Sequence, residues 1–397
     1  MIIALDARPL VTRNIRGPEQ RARNIVREWA ANAPHHRFIL LIERGIDNRS
    51  DFDRSFLDQL PGNFITHLTL LGNYSLAKLP WRRAIPINVG HDWDVFHSFS
   101  PGVPHSLGTP MVNTIHDLSC ELDPDVRATA EGARERWIVR RSLRRVRCAV
   151  AVSKQTRHDL LSLYRIQPWQ VKVIYNGINP VFVPEPDQQL RAQLHNQYGI
   201  SQRYILLVGS DIPRRNYQRV WEAMMIVWKT HPRLRLLLAG RGKWTNAPIY
   251  RQAAADGLLD RVIFLDSPSD QMLAQLYRDA MLTCCGSSFE GFGLSVLEAM
   301  ACGCPVACSE IRSLREVADE AVVYFTHDDP ESIAGTLLEL IEDPEYRRQL
   351  RLAGLQRADH FKWSTAAQHL LEVLETVAKT GSAPSDPQPV AAYDEGL

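Results

Sequence analysis

Met281-Leu282-Thr283-Cys284-Cys285-Gly286-Ser287-Ser288-Phe289-Glu290-Gly291-Phe292-Gly293-Leu294-Ser295-Val296-Leu297-Glu298-Ala299-Met300 holds the most informative chemistry of this 397-residue chain. A short apolar strand, Met281–Cys285, runs into a glycine-containing loop, and a helix begins near Gly293. Glycine lets backbone N–H groups approach a ligand closely, and a helix amino terminus attracts anions such as phosphate. Glu290 stands just before that helix, where its carboxylate can accept sugar hydroxyls. Glu298 lies among Leu297, Ala299 and Met300, a poor place for an unpartnered charge. A carboxylate there makes sense if it accepts two hydroxyls, as a ribose offers.

The same alternation of apolar run and amphipathic helix extends in both directions. Strands are predicted at Ile2–Ala7, Arg37–Glu43, Val95–Phe99, Met111–Ile115, Cys148–Val152 and Val171–Tyr175. A second series follows at Tyr204–Gly209, Leu234–Ala239, Val262–Leu265, Met281–Cys285, Pro305–Cys308 and Ala321–Phe325. Near-continuous apolar strands separated by helices indicate parallel sheets covered on both faces, so the fold class is α/β with two doubly wound, Rossmann-like domains. Three prolines and an Asn-Gly pair mark a linker at Asn176–Gln188. The first domain is placed at 1–180 and the second at 181–362. Residues from Gly381 on are rich in Pro, Ser, Ala and Asp, and 379–397 are expected to form a disordered tail.

Hydrophobic residues make up 45% and charged residues 23%, which fits a soluble globular protein and excludes a disordered one. No apolar run reaches the length of a membrane span, and the first residues read as a strand rather than a signal peptide. Seven cysteines, an odd number with Cys284 and Cys285 adjacent, suit a reducing compartment. A cytoplasmic location is expected, with peripheral contact at the inner membrane face as a further reading. Residues 1–180 carry 25 Lys and Arg against 17 Asp and Glu, whereas the remainder carries 21 against 28. The near-neutral total argues against a dedicated nucleic-acid binder, and the basic first half suggests an anionic partner.

Glu290 and Glu298 sit eight positions apart within Glu-Gly-Phe-Gly-Leu-Ser-Val-Leu-Glu-Ala-Met, followed by Ala-Cys-Gly-Cys-Pro-Val. This resembles the signature of the retaining GT-B glycosyltransferases of family 4, in which the first glutamate contacts the donor sugar and the second holds the nucleotide ribose. Gly291, Phe292, Gly293 and Leu294 would line the donor in the same motif. Val208-Gly209-Ser210-Asp211-Ile212-Pro213-Arg214-Arg215-Asn216 resembles the family's Gly-x-x-x-Pro-Arg-Lys-Asn loop, whose basic pair neutralises the leaving diphosphate. Arg214 and Arg215, with Gly209 and Ser210, take that place here. Arg215 stands at the usual lysine, and arginine is not a neutral replacement for lysine. Ile115-His116-Asp117 ends a strand at its carboxyl edge and is similar to the family's His-Asp motif, which faces the donor sugar. Asp117 has two readings, orienting the histidine or capping the next helix.

Weaker matches are Ala149–Ser153 with Lys154 and Arg157, Val173–Ile178, and Phe361-Lys362-Trp363 with Ala366 and Ala367. The last resembles the start of a helix, 363–378, that in the GT-B fold crosses back to the first domain. The chain departs from the family at Arg13–Arg21, where a glycine-rich loop is usual. Only Gly17 is retained there, and Pro18 and Glu19 follow. Either Glu19 meets the acceptor or the phosphates, or the segment caps the next helix.

Other motifs fail. Three Asp-x-Asp pairs, Asp51/Asp53, Asp92/Asp94 and Asp123/Asp125, show how little that spacing means, and no metal is expected. Gly240-Arg241-Gly242 lacks the third glycine of a dinucleotide fingerprint, since Thr245 stands there. Cys302-x-Cys304 with Cys308 has no second cluster. Arg134–Arg147 contains seven arginines around Trp137, Ile138, Val139, Leu143 and Val146. Its two readings are a surface for an anionic membrane or polyprenyl-diphosphate acceptor, and a solvated helix with arginines paired to nearby acids.

The resemblance implies metal-independent transfer of a hexose, with retention, to an acceptor hydroxyl in cell-surface glycan or lipid-linked glycan synthesis. No cofactor is required beyond the nucleotide-sugar donor, held by the second domain while the first binds the acceptor. The Pro-Arg-Arg-Asn loop resembles that of mannosyltransferases, which favours GDP-mannose, with UDP-hexoses and dTDP-rhamnose open. The alternatives are a nucleotide-sugar epimerase of the same fold, a non-catalytic sugar-nucleotide-binding protein and a nicotinamide oxidoreductase.

Overall fold

Each apolar run named above forms a strand, because Val, Ile and Leu in unbroken series suit a position buried on both faces of a parallel sheet. The computed structural model describes residues 1–13, 15, 17–43, 48, 50–69, 93–102, 108–200 and 204–384. They fall into two units, Met1–Gly177 with Lys362–Leu397, and Ile178–Phe361.

The first unit holds seven parallel strands in the order β3-β2-β1-β4-β5-β6-β7. These are β1 (Ile2–Asp6), β2 (Arg37–Glu43), β3 (Phe64–Thr69), β4 (Val95–Ser98), β5 (Met111–Ile115), β6 (Cys148–Ala151) and β7 (Val171–Val173). Ala4 lies opposite both Ile39 and Phe96, which fixes β1 in the centre. On one face Ile3, Leu5, Phe38 and Phe99 pack beneath Ile25 and Trp29 of the helix Gly17–Asn32 and Leu370 and Leu374 of the helix Trp363–Thr380. The Trp29 indole stacks on Phe38 at 5.3 Å and donates its N–H to the Ala367 carbonyl at 2.9 Å. The last helix is therefore part of the first unit's core. It runs two residues beyond the expected 378, ends at left-handed Gly381, and turns Ala383 back into the core. Residues 385–397 of the expected tail lie outside the described residues.

β3 was not among the expected strands. Phe-Ile-Thr-His-Leu-Thr lacks a continuous apolar run because it sits at the sheet edge, with Leu68 58% exposed. The expected loop at Gly17–Glu19 is also different. These residues form the first turn of the helix Gly17–Asn32, where Pro18 gives up an N–H that needs no partner and Glu19 complements the helix dipole. Asn14 and Arg16 of that loop lie outside the described residues.

The second unit holds six parallel strands in the order β10-β9-β8-β11-β12-β13. They are β8 (Tyr204–Val208), β9 (Arg235–Gly240), β10 (Val262–Asp266), β11 (Leu282–Cys285), β12 (Val306–Ser309) and β13 (Val323–Phe325). In each unit the first strand lies beside the fourth, β1 beside β4 and β8 beside β11. At such a reversal the loops leaving the strands part to either side and open a crevice at the carboxyl edge, where open α/β sheets bind ligands.

Candidate active site

The reversal in the second unit brings together two loops that are distant in sequence. From β8 comes Gly209–Asn216, and from β11 comes Gly286–Gly293. Arg215 Nη1 donates to Glu290 Oε1 at 2.6 Å, and the Ser287 hydroxyl donates to the same oxygen at 2.8 Å. The Arg215 and Glu290 side chains are 20% and 10% exposed, so the pair is largely withdrawn from water. Burial pulls the Arg215 guanidinium down, the Glu290 carboxylate raises it, and the net shift is upward. Charge-assisted bonds of this kind are about twice as strong as neutral ones.

The backbone welds the two loops. Ser288 N–H donates to the Arg214 carbonyl at 2.9 Å, so the chain that presents Arg214 is clamped to the glutamate loop. Gly209 has φ +132°, and a Cβ on it would lie 2.8 Å from Arg215 Nε. Tyr217 hydroxyl donates to the Gly209 carbonyl, and Ser210 hydroxyl to the Arg241 carbonyl at 2.8 Å. Ser210 is therefore tied to the β9 loop. Left-handed Gly293, at φ +102°, begins the helix Leu294–Ala301 with no side-chain cap on its first turn. Gly291 and Phe292 are buried, and Leu294 is half-buried. The buried Phe292 ring lies edge-on to Phe361, with centroids 5.9 Å apart. Glu298, in that helix, is 8% exposed and receives the Tyr277 hydroxyl at 3.4 Å.

His116, Gly17 and Glu19 belong to the first unit. His116 Nε2–H donates to the Phe99 carbonyl at 2.6 Å, which assigns the lone pair to Nδ1. Burial, with the positive charge of Arg21, pushes the imidazole down to about 4, so it is a neutral hydrogen-bonding group at pH 7. Asp117 accepts from the N–H of Ser119, the first residue of the helix Ser119–Leu122, at 2.9 Å, and its charge also acts on His116. Asp-x-Asp residues do similar local work: Asp51 accepts from Thr12, Asp53 from Ser55 N–H, and Asp123 caps the helix Pro124–Arg127. Asp92 lies outside the described residues. Among the described residues no three His, Cys, Asp or Glu form a metal-holding group, and no helix is long and apolar enough to cross a membrane.

The family described as Glycosyltransferase Family 4 matches residues 15–182, and Glycosyl transferases group 1 matches residues 191–357. The chain belongs to the family 4, group 1 glycosyltransferases. It is 25% identical over 319 residues to the O-antigen chain mannosyltransferase B of Escherichia coli, covering 80% of this chain and 83% of the relative. Sucrose-phosphate synthase from Thermosynechococcus elongatus superimposes with a TM-score of 0.74 at 19% identity, over 95% of this chain and 99% of that one. Anabaena HepE in complex with UDP and glucose gives 0.70 at 18% identity, over 94% and 99%. Both structures share the GT-B fold of two Rossmann-like domains.

Four residues of this glycosyltransferase escaped the reading of its sequence. Ser287 and Tyr277 partner the two glutamates from positions that no motif marks. Asp6, at the end of β1, is buried and takes Arg8 Nε at 2.8 Å and the Ser98 hydroxyl at 3.2 Å, joining β1 to β4 at the first unit's reversal. Arg21 is fully buried, and its Nη1 donates to the Ile174 and Tyr175 carbonyls and to Asn176 Oδ1 at 2.6 Å. Burial lowers that guanidinium to about 9, still charged at neutral pH.

The buried histidines set an acid limit on the glycosyltransferase. His97 donates from Nδ1 to the Val112 carbonyl, and burial, with Arg21 nearby, pushes it down to about 3. The unfolded chain takes up protons below about pH 6.5, whereas folded His116 and His97 resist until about 4 and 3. Stability therefore falls as pH drops through that window, by about 3 kcal/mol for His116 and about 5 kcal/mol for His97 over its full range. Denaturant melts at pH 7 and near pH 4 should show the loss, and His97→Asn, which keeps an N–H near the Nδ1 position, should reduce it.

Proposed function

We propose that this glycosyltransferase transfers a hexose from a nucleotide-diphospho-sugar to an acceptor hydroxyl with retention at the anomeric carbon and without a metal ion. The observation that carries the reading is the Arg215–Glu290 pair at the strand reversal of the second unit. A cation for the diphosphate and a carboxylate for the sugar are already in contact, as they must be to act on two adjacent parts of one molecule. In the reaction the bond from the anomeric carbon to the diphosphate oxygen breaks and one to the acceptor oxygen forms, with the acceptor proton released. Negative charge grows on the departing diphosphate, where Arg214, Arg215 and the amides at Gly291–Leu294 would meet it. Glu290 would grip the sugar, Glu298 the ribose, and neutral His116 would accept a sugar hydroxyl at Nδ1. Gly209 and Ser210 would shape the phosphate loop.

Mannose from GDP-mannose is the first choice of donor, supported by the Pro213–Asn216 loop and by the relative named as an O-antigen mannosyltransferase. The acceptor would be a cell-surface glycan or its lipid-linked precursor. UDP-hexoses and dTDP-rhamnose are the competing donors. The test is transfer of labelled sugar from each donor, with chelator present, to a panel of oligosaccharide and lipid-linked acceptors, followed by assignment of the product anomer. Retained configuration with one donor supports the reading. Inversion, a requirement for metal, or sugar interconversion without acceptor would replace it.

A further inference from the structure

Tyr277 is fully buried, where a phenylalanine would fill the same space with no hydroxyl to satisfy. It stands on the helix Asp270–Asp279, between β10 and β11. Among the described residues the hydroxyl's hydrogen-bond partner is Glu298 Oε2, at 3.4 Å. Burial and the Glu298 charge both raise the phenol well above its ordinary pKa, so the hydroxyl keeps its proton and acts as a donor. Phe182 lies edge-on to the Tyr277 ring, with centroids 6.1 Å apart. Gln275 Oε1 accepts from Asp187 N–H at 2.8 Å, and Asp279 accepts from Arg191 Nε at 2.8 Å. The helix that carries the phenol is therefore fastened along its length to the chain at 182–191, and the hydroxyl is presented from a fixed mount.

We propose that Tyr277 is a positioning residue for the donor, whose hydroxyl turns the Glu298 carboxylate to receive both hydroxyls of the nucleotide ribose. The inference rests on the reading of Glu298 as the ribose carboxylate. The last side-chain torsion of glutamate is broad, so rotamer preference alone does not fix the plane of its two oxygens. A vicinal diol needs that plane fixed, because its two hydroxyls must meet the carboxylate together. A hydroxyl held on a fastened helix sets the plane, and an ionised carboxylate, with about four acceptor positions, keeps capacity for the diol. Setting the torsion before the ribose arrives removes an ordering cost from binding. The contact is long for an O–H···O bond, so its loss should cost about 10-fold in binding, the low end for a bond to a charged group. The ribose is the same in ground and transition states, so the effect falls on the donor KM and spares kcat.

The experiment is calorimetric binding of GDP and UDP, and of their 2′,3′-dideoxy counterparts, to the full chain and to Tyr277→Phe, Glu298→Gln and the double variant. The native chain should bind the ribonucleotide it prefers roughly 100-fold more tightly than the dideoxy form. Tyr277→Phe should weaken the ribonucleotide about 10-fold and leave the dideoxy form unchanged. The double variant should be no weaker than Glu298→Gln, because the tyrosine acts through the carboxylate. Donor kinetics on Tyr277→Phe should show KM raised about 10-fold at unchanged kcat. The proposal is overturned if the native chain prefers ribose and Tyr277→Phe weakens both forms equally, as a structural tyrosine would, or weakens neither. A Tyr277→Phe chain that does not fold also overturns it, because the hydroxyl then belongs to the core. A native chain that binds neither ribonucleotide, or binds it no better than its dideoxy form, overturns the Glu298 reading itself and the proposal with it.

Discussion

Glu290→Gln is expected to lower sugar transfer by about 100- to 1,000-fold while leaving the fold in place. The amide oxygen of glutamine can still accept from Arg215 and Ser287, which lie 2.6 and 2.8 Å from Glu290 Oε1. What is lost is the negative charge and an acceptor for the sugar hydroxyls. Arg215, relieved of its counter-charge, would then grip the diphosphate at least as tightly in the ground state. Binding that is equal in ground and transition states does not raise turnover. The variant should therefore show a reduced kcat with an unchanged or lower KM for the donor. Arg215→Gln should differ. It removes a group that meets charge as it develops, and it leaves a largely buried carboxylate with Ser287 alone, so activity falls and stability drops by about 3 kcal/mol. Steady-state kinetics and a melt on both variants separate these outcomes.

Gly209→Ala is expected to abolish donor binding by moving Arg215. At φ +132° any side chain is strained, and the new Cβ would stand 2.8 Å from Arg215 Nε and 3.1 Å from its Cζ. The loop cannot yield toward the sheet, because the Gly209 carbonyl already occupies the space of a Cβ on Gly240, at 2.0 Å. Arg215 must leave Glu290, or the loop must lift from β9. Overpacking of this kind costs about 1–3 kcal/mol, so the protein should still fold. Thermal melts with and without donor would register both effects: a lower Tm and no ligand-induced rise.

The sheets were legible because a strand buried on both faces must be written in continuous apolar residues. β3 was not, since an edge strand with exposed Leu68 needs no such run. Glu290 and the Arg214–Arg215 pair could be placed on loops, and Glu298 within a helix, from the sequence. The contact of Arg215 with Glu290 could not, because the two are 75 residues apart and meet only through the placement of β8 beside β11. Gly17-Pro18-Glu19 read as a loop because proline and glycine usually break structure, yet both are tolerated at a helix start. No motif in the sequence marks Arg21. Burial of its guanidinium depends on the Ile174 and Tyr175 carbonyls from the far end of the unit, which no local pattern reports.

The most direct test of the site is a thermal-shift titration with GDP-mannose, UDP-glucose, UDP-N-acetylglucosamine, dTDP-rhamnose and NAD, in chelator, on the native chain and on Arg215→Gln. A ligand that binds only the folded state stabilises it by about 2.7 kcal/mol at 100 times its Kd. The account predicts a saturable rise in Tm with one sugar nucleotide, indifferent to chelator and lost in Arg215→Gln. A rise that Arg215→Gln retains, or one seen only with NAD or only with added metal, would contradict it.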